Sequence, residues 1–111
     1  MADGFINTTE EFDKIIQEND AVVVYFNTVS CNVGESLAPK VEDLIRSKFP
    51  KMKFFYLDMG MNPKIAAQYS VFVEPTILVF FAGKESIRKS RHFSLHELES
   101  AIARPYSLLF D

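Results

Sequence analysis

With one cysteine, no tryptophan and four glycines among 111 residues, the chain excludes several architectures at once. A single cysteine cannot close an intramolecular disulfide, so the fold has to hold without a covalent staple, as suits a reducing compartment. Cys31, His92 and His96 also fall short of the four ligands that a structural zinc ordinarily takes, and no metal site is expected. The chain has no block of Lys and Arg, and its formal charge is -3. Phosphate binding draws on clustered cations, so a nucleic-acid partner is not expected. The stretch from Lys84 to Arg91 comes nearest to a basic patch, and its charges are interrupted. No apolar run approaches the about 20 residues needed to cross a bilayer. Met1-Ala2-Asp3-Gly4 lacks the basic and apolar regions of a secretory signal, so a cytoplasmic location with no membrane partner is the expectation. Repeats, linkers and low-complexity segments are absent as well.

What the chain does have is apolar mass: 48% of its residues are hydrophobic, and 11 are phenylalanine. Burial at about 25 cal/mol per Å² can offset chain entropy in one core of this size, and the whole of residues 1–111 is expected to form a single domain.

Thr8-Thr9-Glu10-Glu11 reads as a capping box, and Phe12, Ile15 and Ile16 then share one face of a helix ending near Glu18. Ala21-Val22-Val23-Val24-Tyr25-Phe26 is a continuous, β-branched run, as expected of a central strand buried on both faces. Leu37, Val41, Leu44, Ile45 and Phe49 recur at helical spacing, predicting a helix from about Val33 to Lys48 with Pro39 inside it. Lys53–Leu57 reads as a second strand. Asn62-Pro63 reads as an N-cap and first helical residue of a short helix to about Tyr69.

Thr76–Phe81 is predicted as a third strand, turning at Ala82-Gly83-Lys84 into a fourth from Glu85 to Phe93. Ser94-Leu95-His96-Glu97 opens a last helix that Pro105 is expected to stop. The apolar tail Tyr106–Phe110 then either packs back on the sheet or offers a contact surface. His92 and His96 read as strand-end and first-turn residues. Strands joined by helices need parallel crossovers, and the closing hairpin is antiparallel, so the fold class is α/β, with a mixed sheet covered by helices on both faces.

Four features in this order resemble the thioredoxin family: a strand leading to Cys31 at the lip of a helix, Ala38-Pro39 within that helix, Asn62-Pro63 opening the next, and Glu74-Pro75-Thr76 starting a strand. The resemblance spans about residues 5–104 and implies the thioredoxin fold. It also implies that Pro75 is cis and faces the redox cysteine. The family motif is Cys-x-x-Cys, commonly preceded by Trp; here the matching stretch is Ser30-Cys31-Asn32-Val33-Gly34, with glycine in place of the second cysteine. The buried aspartate of the preceding strand is replaced by Tyr25. Arg91 stands where the family usually has glycine beside the peptide groove.

The resemblance therefore makes Cys31 the candidate catalytic residue, with Ser30, Asn32, Val33, Gly34, Glu74, Pro75 and Arg91 as candidate substrate-binding residues. A thiolate at a helix N-terminus gains about 0.3–1 kcal/mol from the helix dipole, while Glu35 and Glu74 oppose it; the Arg91 guanidinium either reaches the thiolate as the compensating cation or blocks the approach of substrate. In a dithiol enzyme the second cysteine resolves the mixed disulfide, a step this chain cannot perform alone.

Two readings follow from these residues. One is a monothiol thioredoxin-like protein of cell redox homeostasis, forming mixed disulfides with protein partners or with glutathione as co-substrate, with weak or absent dithiol reductase activity and no resident cofactor. The other is a non-catalytic module docking peptides or proteins beside Pro75. Glutaredoxin-like handling of an iron–sulfur cluster ranks below both, because that family's basic residues and glycine pair are not recognisable here.

Overall fold

The computed structural model describes residues 3–28 and 32–110, with side chains omitted over 32–36; Ser30 and Cys31 lie outside the described residues. Among them the elements are β1 (Gly4–Phe5), α1 (Thr9–Glu18), β2 (Ala21–Asn27), α2 (Asn32–Lys48), β3 (Lys53–Asp58), α3 (Pro63–Gln68), β4 (Thr76–Phe81), β5 (Lys84–Ser90) and α4 (Leu95–Phe110).

The strands form one sheet in the order β1-β3-β2-β4-β5. β2 lies at its centre, parallel to β3 and antiparallel to β4, with Tyr25 opposite Tyr56 on one side and Ile77 on the other. A strand in that position is covered on both faces, which is why its sequence is apolar without alternation. Val23 and Tyr25 point to one core with Val41, Ile45, Phe54, Leu98 and Ile102. Val22, Val24 and Phe26 point to the other with Phe12, Ile65 and Leu78. The first core lies under α2 and α4, the second under α1 and α3. β5 is an edge strand rich in Lys, Arg and Glu, a composition that discourages edge-to-edge pairing with another chain.

The Thr8 capping box forms in full: the Glu11 N–H donates to Thr8 Oγ1 at 3.0 Å, and the Thr8 N–H donates to Glu11 Oε1 at 3.1 Å. The Glu97 N–H likewise donates to Ser94 Oγ at 3.0 Å. α3 starts at Pro63 as predicted, but the Asn62 side chain donates back to the Asp58 carbonyl at 3.2 Å and makes no cap bond. α2 continues through Pro39 to Lys48.

The structure adds one element and corrects two expectations. β1 has no local sequence signal, because two residues carry no periodicity; it is fixed by long-range pairing, with the Asp3 N–H on the Phe54 carbonyl at 2.7 Å and the Phe54 N–H on Asp3 Oδ2 at 2.8 Å. β5 ends at Ser90 and not Phe93, because Arg91 takes a left-handed backbone, φ 44, that turns the chain out of the strand.

Pro105, expected to stop the last helix, lies inside α4, which runs on to Phe110. Proline in a helix interior costs about 3 kcal/mol or more. The following turn offsets that by docking. The Tyr106 ring stands edge-on to Phe49 at 5.0 Å, and Phe110 lies 4.7 Å from Tyr106. Tyr106 Oη accepts from the Lys51 N–H at 3.1 Å, and Lys51 Nζ sits 5.5 Å from the Phe110 ring. The tail packs back on the fold through Tyr106 and Phe110, while Leu108 is 74% exposed.

Candidate functional site

Sheet registry draws the candidate residues to one end of the molecule. Phe26, near the end of β2, pairs with Thr76 at the start of β4, and Thr76 pairs with Ser90 at the end of β5. The segments just beyond, Asn27-Thr28, Val73-Glu74-Pro75 and Arg91, are therefore neighbours although up to 64 positions separate them in the chain. α2 begins at Asn32 at the same end, since only residues 29–31 join it to Thr28.

The loop ahead of β4 is pinned from three sides. The Thr76 hydroxyl, itself buried, donates to the Val73 carbonyl at 2.7 Å. The Arg91 N–H donates to the Pro75 carbonyl at 2.9 Å. Thr28 Oγ1 donates to Glu74 Oε1 at 3.1 Å, tying the loop to the end of β2. The Glu74–Pro75 bond is cis, and the Pro75 side chain is buried. Phe72 and Val73, just ahead of this clamp, are 74% and 42% exposed, so the pinned loop presents apolar surface to solvent.

Of the predicted site residues, Glu74, Pro75 and Arg91 are brought together. Asn32, Val33 and Gly34 lie in the first turn of α2, where the side chains of Asn32, Val33 and Glu35 are not described. Cys31 and Ser30 lie outside the described residues, and so do the expected contact of Pro75 with the cysteine and the effects of Glu35, Glu74 and Arg91 on its sulfur. Arg91 is exposed, and among the described residues its guanidinium makes no hydrogen bond or ion pair. Its positive φ explains the glycine that the resemblance implies at this position: the backbone there is one that a side chain occupies only at a cost.

Tyr25, standing where the resemblance implies a buried aspartate, is completely buried. It packs edge-on against Tyr56 at 5.7 Å, and the Tyr56 hydroxyl donates to Glu42 Oε1 on α2 at 3.1 Å. Burial first, then the hydrogen bond to Glu42 and its charge, push the Tyr56 phenol up to about 12. Beneath α2 the Tyr56 phenol therefore stays protonated near neutral pH, and Tyr25 fills the strand position where the resemblance implies a carboxylate.

Sequence reasoning missed Thr28, Phe72 and Val73. Phe72 and Val73 carried a usable signal, being large apolar residues between α3 and β4 that fit neither period; Thr28 carried none, since its partner lies 46 positions away. Among the described residues no group of three or more His, Cys, Asp or Glu side chains is placed to hold a metal ion. Nor is any helix among them long and apolar enough to cross a membrane.

The thioredoxin family model matches residues 4–104 of this chain. The thioredoxin-like protein YdfQ of Bacillus subtilis is 23% identical over 103 residues, 93% of this chain and 91% of that protein. Thioredoxin-1 of Saccharomyces cerevisiae is 33% identical over 78 residues, 70% of this chain and 75% of that one. The X-ray structure of Fasciola hepatica thioredoxin superposes with a TM-score of 0.82 at 33% identity, covering 94% of this chain and 98% of the other. Taken with a central β2 leading to the start of α2 and a proline loop clamped beside it, these likenesses place the chain in the thioredoxin family, as a thioredoxin-like redox protein with one cysteine.

Proposed function

We propose that this protein is a cytoplasmic monothiol member of the family, forming mixed disulfides through Cys31 with protein partners or glutathione. The observation that carries the reading is the motif itself: Cys31 is retained ahead of α2, and Gly34 stands where a resolving thiol would be. The Cys31 thiolate attacks one sulfur of a client disulfide, joins it, and expels the other client sulfur as a thiolate. No second cysteine exists to attack the new bond. An external thiolate such as glutathione attacks the client sulfur instead, which returns Cys31 as thiolate and leaves the client joined to glutathione. Net reduction of the client then takes a second glutathione.

Three measurements test this. Thiolate absorbance across a pH titration is expected to place the Cys31 pKa below that of an ordinary thiol, and trapping is expected to recover Cys31-dependent adducts that Cys31→Ser abolishes. A pKa at or above the ordinary value with no adducts refutes the reading. Insulin-disulfide reduction with thioredoxin reductase as sole electron donor is expected to be weak or absent, and robust turnover would contradict the monothiol scheme.

A second reading, a docking module in which Cys31 is incidental, is favoured by a specific feature. Among the described residues the backbone N–H and C=O of Glu74 make no hydrogen bond, beside exposed Phe72 and Val73. An extended peptide can satisfy such groups by strand-like pairing. Partner binding unchanged in Cys31→Ser would select this reading.

A further inference from the structure

The exposed loop ahead of β4 carries a charge that its surroundings hold in place. Glu74 is only partly exposed, and Oε1 of its carboxylate accepts the Thr28 hydroxyl at 3.1 Å. That is its only side-chain partner among the described residues, so Oε2 keeps its capacity to accept. The backbone around it is fixed on both sides, by the Thr76 hydroxyl on the Val73 carbonyl and by the Arg91 N–H on the Pro75 carbonyl. Most surface carboxylates lose side-chain freedom when they pair, which cancels much of the gain. Here that loss has already been taken within the protein, and the neighbouring Phe72 and Val73 supply apolar contact on which a long side chain can lie.

We infer that Glu74 is a specificity-determining residue that selects, for the surface beside Pro75, polypeptide segments presenting a Lys or Arg between apolar residues. The inference rests on docking beside Pro75, which both readings above share, and adds the chemistry of what docks. A cationic client side chain reaches Oε2 as a charge-assisted donor while its stem covers Val73. An acidic client residue meets a fixed like charge, which is costly at short range. Arg91 is the nearby opposing charge. Its guanidinium is exposed and has no partner among the described residues, so an acidic residue paired with it meets both the entropy of ordering that side chain and solvent screening. Glu74 therefore sets the sign of the preference.

The test uses the full chain and two short fluorescein-labelled peptides, alike except for a central Lys or Glu between valines and free of cysteine, with binding read by anisotropy at low salt. Because no sulfur takes part, the outcome does not depend on Cys31 reactivity, and failure of the mixed-disulfide scheme is read separately in the trapping experiment. The Lys peptide is expected to bind about tenfold more tightly than the Glu peptide, equivalent to about 1.4 kcal/mol. Glu74→Gln keeps an oxygen for Thr28 but removes the charge, and is expected to bring the ratio to within about twofold. Arg91→Gln is expected to leave the Lys preference in place or enlarge it. Thr28→Val frees the carboxylate and is expected to lower the ratio about threefold, with Thr28→Ser restoring it. Equal binding of the two peptides, absence of binding by either, or a Lys preference that survives Glu74→Gln would each overturn the proposal.

Discussion

Replacing Tyr106 with alanine tests the claim that α4 is held past Pro105 by docking. The structure gives three contacts to count. The edge-on pair with Phe49 and the pair with Phe110 are each worth about 0.5–1.5 kcal/mol beyond area burial. The Lys51 N–H on Tyr106 Oη adds about 0.5–1.5 kcal/mol. Lys51 is exposed, and water replaces that bond when it is lost, so the lower half of its range applies; with the lower half of the ring-pair ranges the three contacts sum to about 2 kcal/mol, and the lost apolar burial adds to this. With a urea m-value of about 1–3 kcal/mol/M for a domain of this size, the unfolding midpoint should fall by at least about 1 M. Tyr106→Phe keeps the ring pairs and should lose only about 0.5–1 kcal/mol. The refuting result is a Tyr106→Ala midpoint indistinguishable from wild type, with helix content by circular dichroism also unchanged. That would mean the residues after Pro105 form a turn independent of the core.

Two other perturbations follow from the same coordinates. Arg91→Gly should remove the cost of about 1–2 kcal/mol for a side chain at positive φ while adding about 0.4–1 kcal/mol of unfolded-state entropy, so thermal melts should show a net gain of about 0.5–1 kcal/mol. Destabilisation by this change would show that the arginine side chain contributes packing absent from the structure. Tyr56 titrates at about 12 in the fold against 10.0 for an ordinary tyrosine. Its protonated form is the favoured folded form, so the stability it contributes is complete below pH 10 and is lost as pH rises toward 12. Urea midpoints measured across that window should fall less steeply in Tyr56→Phe than in wild type, and identical slopes would contradict the assignment.

Several parts of the fold could be read locally because the relevant physics is local. Thr8 with Glu11, the run Ala21–Phe26 and the Asn62-Pro63 helix start each depend on neighbours within a few residues or on one strand's own burial. The single cysteine likewise settles from composition alone that no internal disulfide can form. Pro105 misled because local propensity counts the hydrogen bond it removes and cannot count Phe49 and Lys51, which lie more than fifty positions away. β1 went unseen for the same reason: two residues carry no pattern, and their pairing with Phe55 and Tyr56 exists only once the chain has folded.

The site divides along the same line. Cys31, Gly34, Pro75 and the substitution at Tyr25 stand out in the amino-acid order, because a motif is a matter of residue type and spacing. The clamp of Thr28 on Glu74, the left-handed backbone at Arg91 and the exposure of Phe72 and Val73 belong to the tertiary structure. Each arises where the ends of β2, β4 and β5 meet, and hydrogen bonds across tens of residues, unlike caps and turns, leave no periodic trace in a sequence.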